Sequence, residues 1–342
     1  MVQRWGMVVA VMIPLLTGCS SHGAAEKSCE PMPAAGVATA EEWLGRIHAE
    51  PDTIALAIDD GRGNTIERRA DDQQPLASAV KVVALAAYAR AVTSGTLDSR
   101  ETVPVSEWER WYLPGTDGGA HPKARARLTG ATVTLDQLVS AMIQESDNAV
   151  HDYLRDRLGD QALIDAAAAG GWHGYTPSTK LGEIIRALDP GSDGDWATAQ
   201  RYASDPAYRT AIQSKTLPPL DIQMAWTETT ATGSARQLAS MFRAIATGSF
   251  GSGSDVARAQ LEWPQPPAGS VAIGAKSGSY PGMLADAVYL RRADGTVATA
   301  VLLDHRMPES TWNSALATVS EQQLLIRAMT EPETWRRLAC AT

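Results

Sequence analysis

The run TIALAIDDGRGNTIERR, residues 53–69, decides the architecture when it is read beside MLADAVYLRRADGTVATAVLLD, residues 283–304. In the first run, Thr53–Asp59 alternates as a strand, Asp60 to Asn64 is a turn cluster, and Thr65–Arg69 returns as its hairpin partner. In the second, Met283–Arg291 and Val297–Asp304 alternate on either side of a turn at Asp294-Gly295. Helical spacing fills the ground between and around them. It is read at Ala40–His48, at Ser78–Val92, and after Thr134, where Thr134 and Gln137 form a capping box. Further helices are expected at Ala149–Leu158, Gln161–Ala169, Ser234–Ala246 and Ser310–Met329, with loops at Pro114–Pro122, Pro190–Asp195 and Gly248–Gly269. Strands near both ends therefore bracket a helical middle. The expected fold is α/β (α+β): an antiparallel sheet built from both chain ends, flanked by helices, with an inserted all-helical subdomain. The sheet lobe should comprise about 40–75 and 230–342, and the helical lobe about 76–229.

Composition narrows the class of partner. The 342 residues carry a net charge of −9 and only six lysines, which argues against a nucleic-acid backbone as partner. The apolar run Met7–Leu16 follows a single positive charge at Arg4 and is too short to span a bilayer, so residues 1–18 read as an export signal. Leu16-Thr17-Gly18-Cys19 resembles the lipobox of bacterial lipoproteins, which implies a lipid on Cys19, a tether over 19–39, and a domain over 40–342 held at the outer face of the membrane or secreted. An oxidising compartment permits a disulfide between Cys29 and Cys340; two free thiols are the alternative. With no C-x-x-C or H-x-x-x-H motif and scattered histidines, neither a metal nor a cofactor is expected, and the domain is expected to be a monomer.

Three short motifs carry chemistry. In Ser78-Ala79-Val80-Lys81 a spacing of three puts both side chains on one helix face, where an amine desolvated by apolar neighbours can take the serine proton. Ser146-Asp147-Asn148 stands between two helices; it offers a relay hydroxyl and an amide, or simply a helix cap. Lys276-Ser277-Gly278, followed by Ser279, offers a cation and hydroxyl on a strand edge where glycine admits a close backbone approach.

Together and in this order, the three motifs are similar to those of class A β-lactamases and penicillin-binding proteins, and the resemblance covers roughly Ala40 to Leu338. Thr227-Glu228-Thr229-Thr230 is similar to that family's D-T-T stretch. The resemblance implies a serine hydrolase in which Ser78 is acylated and Lys81 accepts or relays its proton. Ser146 would pass a proton to the departing nitrogen, and Asn148 would hold the substrate amide. Lys276 and Ser277 would bind a substrate carboxylate, and the backbone N–H groups of Ser78 and Ser279 would form the oxyanion hole, with Gly278 between them.

The sequence departs from the family where turnover is decided. The family's deacylating Glu lies in an E-x-x-L-N segment that this chain lacks; Glu183 stands near the expected place, but Ile184, Ile185 and Arg186 follow it. Glu183 is either a water-activating base or a residue that merely caps or solvates a helix running on to Leu188. The segments 103–127, with Trp108, Trp111 and Tyr112, and 189–225 are longer than the family pattern, and either shapes the pocket or packs a loop. Three functions follow: hydrolysis of β-lactams or related amides, a D,D-peptidase-like acyl transfer or esterase action with slow deacylation, or ligand binding without catalysis by a surface lipoprotein.

Overall fold

The alternation of the two quoted runs becomes one five-stranded antiparallel sheet in the computed structural model, which describes residues 29–342. The order across the sheet is Thr65–Arg68, Ile54–Asp59, Val297–Asp304, Met283–Arg292 and Ser270–Tyr280. Ile54–Asp59 is paired in register from Ile54 opposite Asp304 to Asp59 opposite Thr299. Residues 31–342 form one compact unit. The signal segment 1–18, Cys19 and the tether as far as residue 28 lie outside the described residues. Among the described residues, no helix is long and apolar enough to cross a membrane.

Period-two alternation sorts each strand between two cores. Ala55, Ala57, Ala285, Ala287, Val301 and Leu303 face one apolar cluster, shared with the helices Lys81–Thr93 and Ala235–Thr247. Ile54, Leu56, Ile58, Val288, Leu290 and Leu302 face the other, shared with Ala40–Ala49 and Ser320–Thr330. Arg46 ties the first helix to the sheet through the fully buried Asp304, with Nε donating to Oδ2 at 2.8 Å. The architecture expected from the sequence is the one observed, with helices on both faces and a helical segment inserted between the early and late strands.

Three local readings are corrected. The expected helix Ser310–Met329 is two helices, Glu309–Thr318 and Ser320–Thr330, broken at Val319 with φ +46°. That break lets the hydroxyls of Thr318 and Ser320 both donate to the carbonyl of Val37, at 2.9 and 2.5 Å. The stretch Gly248–Gly269 contains the helix Ser254–Leu261. The long segment 189–225 holds the helices Trp196–Ser204 and Pro206–Gln213 and the start of Leu220–Thr227; Asp195 caps the first, and Asp205, with Pro206 behind it, caps the second. By contrast, the Thr134 capping box closes as read, and the helices on either side of Gly159 meet at a kink where that glycine takes φ +77°.

Candidate active site

Ser78 lies in a single 3₁₀ turn, Ala77–Val80, and Lys81 opens the helix Lys81–Thr93 directly behind it. Lys81 is fully buried, and its Nζ stands 2.9 Å from Ser78 Oγ. The same nitrogen lies 2.6 Å from the Ser146 carbonyl oxygen, 3.3 Å from Ser146 Oγ and 2.7 Å from Asn148 Oδ1. The spacing of three thus delivers the expected contact, and it also draws in the second motif. Burial pushes the Lys81 amine well below its ordinary pKa, and the nearby cations Lys276 and Lys180 push the same way against Asp147 and Asp117. A neutral amine can accept the serine proton.

The second motif is held in place by its middle residue. Asp147 is fully buried and caps the helix Asn148–Ala169 by accepting from the Val150 N–H at 3.0 Å. Its carboxylate also accepts from Trp108 Nε1 at 3.1 Å and from His121 Nδ1 at 2.8 Å. Tyr112 stacks on His121 with ring centroids 3.8 Å apart. Trp108 and Trp111 of the 103–127 segment are therefore core residues, and the segment acts on the site by clamping Asp147. Between the clamp and Lys81, Ser146 takes a left-handed φ of +70°, a strained conformation for serine that its neighbours on both sides hold.

The third motif arrives on the edge strand Ser270–Tyr280. Lys276 Nζ donates to Ser146 Oγ at 2.9 Å and to the Ser277 carbonyl at 2.6 Å. Burial lowers the Lys276 pKa to about 7, opposed by the charge of Asp286. A Cβ on Gly278 would lie 2.3 Å from the Leu76 carbonyl oxygen and 2.6 Å from the Ser78 amide nitrogen, so only glycine lets this strand meet the turn that carries Ser78. Ser277 is exposed, and the Ser279 hydroxyl is engaged by Trp312 Nε1 at 2.9 Å. Ser78, Ser146, Asn148, Ser277, Gly278 and Ser279 all line one cleft of about 440 Å³.

Glu183 does not line that cleft. Its Oε2 accepts from Lys180 Nζ at 2.8 Å and from the Tyr280 hydroxyl at 3.3 Å, and its Oε1 accepts from the Ala231 N–H at 2.9 Å. Lys180, itself fully buried, also reaches the Ala77 carbonyl at 3.3 Å. Glu183 neither caps nor solvates its helix, whose N-cap is Thr179; it is buried, and its three donors occupy both carboxylate oxygens and tie the helix to Tyr280 and Ala231. Four residues near the site escaped sequence reasoning: Lys180, the Asp147 clamp partner His121, and two acids of the cleft wall, Asp286 and Glu321. Asp286 alone gave a signal, as a charge inside the apolar alternation of Met283–Arg292.

Comparison with known proteins gives the family and the fold. Residues 46–326 match the beta-lactamase enzyme family. The chain is 30% identical over 230 residues to beta-lactamase AST-1 of Nocardia asteroides, covering 61% of this chain and 66% of that protein, so it spans just under two thirds of this curated relative. Its fold is similar to that of a beta-lactamase from Sphaerobacter thermophilus DSM 20745, with a TM-score of 0.58 and 20% identity over 84% of this chain and 95% of the other. It is also similar to a PBP-A mutant in an acyl-enzyme complex with penicillin G, with a TM-score of 0.52 and 16% identity over 83% and 96% of the two chains.

Proposed function

The chain belongs to the beta-lactamase enzyme family, and from that premise we propose that it is a serine hydrolase of the class A type that is acylated on Ser78 by β-lactams or related amides. The observation that carries the reading is the 2.9 Å contact between Ser78 Oγ and the amine of the fully buried Lys81. Lys81 takes the hydroxyl proton as Oγ attacks the carbonyl carbon of the amide. The oxyanion is met by the backbone N–H groups of Ser78 and Ser279, a pair in which each donor contributes about 2.7–4 kcal/mol to the barrier. Ser146, in contact with both Lys81 and Lys276, returns the proton to the departing nitrogen. Asn148 points its carbonyl at Lys81, which leaves its NH₂ for a substrate amide. Lys276 and Ser277 bind the substrate carboxylate.

A second reading concerns the fate of the acyl-enzyme. The three donors on Glu183 support slow deacylation, which would make the enzyme D,D-peptidase-like, an acyltransferase or a slow esterase. Pure ligand binding is less well supported, because a binding protein has no need of a serine, two buried amines and a relay hydroxyl in mutual contact. Chromogenic cephalosporin hydrolysis, run beside intact-mass detection of the adduct, separates the three. Rapid turnover supports the first, a lasting adduct the second, and neither signal the third. Ser78→Ala abolishes covalent labelling by a β-lactam; labelling that survives refutes the nucleophile assignment.

The same reading extends to the chain ends. We propose that Cys19 is lipidated after removal of residues 1–18, that the segment following it tethers a monomeric domain to the outer face of the cell membrane, and that Cys29 and Cys340 are joined. The expected tether of 19–39 is shortened, because residues 31–39 belong to the folded unit and Val37 is buried in it.

A further inference from the structure

One wall of the Ser78 cleft is built from two acids that make no hydrogen bond to Ser78, Lys81, Ser146 or Lys276, although Lys276 feels the charge of Asp286. Asp286 stands opposite Ser277 in the strand register and is 4% exposed. Glu321, in the first turn of the helix Ser320–Thr330, is 2% exposed. Both line the cleft that holds Ser78 and Ser146. Their hydrogen bonding differs. Asp286 Oδ1 accepts from Gln322 Nε2 at 2.9 Å, whereas Glu321 Oε2 is buried with no hydrogen-bond partner. The third acid of the cleft, Asp117, is fully engaged by the N–H groups of Gly119 and His121 at 3.0 and 2.7 Å. Glu321 Oε2 is thus a buried polar atom with no partner in place among the described residues, on a residue that lines the cleft.

The surroundings define a donor that would suit it. Burial raises the carboxyl pKa of both Asp286 and Glu321, and for Glu321 the charge of Asp286 adds to the effect, so a cation brought to this wall would meet two acids that it helps to ionise. Beside them the cleft is lined by Leu316 and Val319, 43% and 47% exposed, and by Trp312, whose indole is pinned to Ser279 Oγ. Acids at depth with an apolar lip suit a group that is cationic at its tip and aliphatic along its stem.

We propose that Glu321 and Asp286 form a recognition subsite for a primary ammonium at the end of an alkyl chain, with Leu316, Val319 and Trp312 receiving the stem. The subsite deepens the hydrolase reading by naming a substrate class, and it rests on that reading only in assigning the ammonium to the molecule that acylates Ser78. An amine-bearing side chain of a cell-wall-type peptide, or of an amide related to it, has this chemistry.

The test separates binding from chemistry. Calorimetric titration of the protein with n-pentylamine and with 1-pentanol at neutral pH is expected to show the amine binding at least tenfold more tightly. In Glu321→Gln the two ligands should come within about threefold of each other. Asp286→Asn keeps an acceptor for Gln322 and should lower the preference at least threefold, providing a second measure if Glu321→Gln does not fold by circular dichroism. Equal binding of amine and alcohol, or an undiminished preference in both variants, overturns the subsite. Amine preference in a protein that no β-lactam labels would leave the subsite standing and remove the hydrolase reading alone.

Discussion

Replacing Asp147 tests how the fold supports the chemistry. Its carboxylate is fully buried and serves three donors: the Val150 N–H at 3.0 Å, Trp108 Nε1 at 3.1 Å and His121 Nδ1 at 2.8 Å. In Asp147→Ala all three lose their acceptor. A buried donor left unpaired costs about 1–3 kcal/mol, and the lost helix cap about 1 kcal/mol. Allowing for partial relaxation among neighbours, the loss should be about 4–6 kcal/mol, a large share of the roughly 5–15 kcal/mol that stabilises a typical domain. Asp147→Asn keeps the shape and one carbonyl oxygen, enough for Val150 and one further donor, and should cost only about 1–2 kcal/mol. Urea unfolding followed by tryptophan fluorescence reads both. Because Ser146 is strained beside Asp147, acylation by a β-lactam should slow at least tenfold in the alanine variant even where it remains folded. An alanine variant within 1 kcal/mol of the parent, or an asparagine variant no better than alanine, would refute the idea that this residue clamps the site.

Other consequences are as direct. Glu183→Gln should change deacylation of a penicillin adduct by less than about threefold, since Lys180, Tyr280 and the Ala231 N–H already occupy its oxygens; slowing by a hundredfold, read by intact mass, would identify it as the water-activating base. Lys276, held at about 7 by burial, is charged below that pH and neutral above it. Acylation by a carboxylate-bearing β-lactam should therefore fall as pH rises from about 6 to 9, and a flat rate profile over that range would contradict the carboxylate role. Cys29 and Cys340 should resist alkylation in denaturant until reduced, and alkylation of both without reductant would dismiss the proposed link, which the chain-entropy argument values at about 5–6 kcal/mol for so long a loop.

Much of the fold is written locally. Alternation at residues 54–59, 283–291 and 297–304 yields strands because each faces a packed core on both sides, and the Thr134 box yields a helix start because both of its hydrogen bonds lie within four residues. Ser78 and Lys81 were legible for the same reason: one helical turn fixes their separation. The break at Val319 was not, since the hydroxyls that flank it bond to a carbonyl at Val37, distant in sequence. The caps at Asp195 and Asp205-Pro206 carried a local signal for the helices of segment 189–225, yet that signal is weak where the helices are only eight or nine residues long. The pairing of Asp286 with the far Glu321 has no local trace at all. Nor does the capture of Glu183 by Tyr280, which joins a helix of the inserted segment to the end of the edge strand Ser270–Tyr280, far away in sequence.

The seam between Ile54–Asp59 and Val297–Asp304 also dictates when this polypeptide can fold. An emerging N-terminal hairpin has no neighbour along one edge until nearly the whole chain has been synthesised, and its apolar faces remain without the helix that ends near residue 330. Topology of this high contact order folds slowly and late. A product truncated before residue 297 would carry every group needed to attack an amide and still present a bare, sticky strand edge, so proteolysis or aggregation would claim it before catalysis could begin.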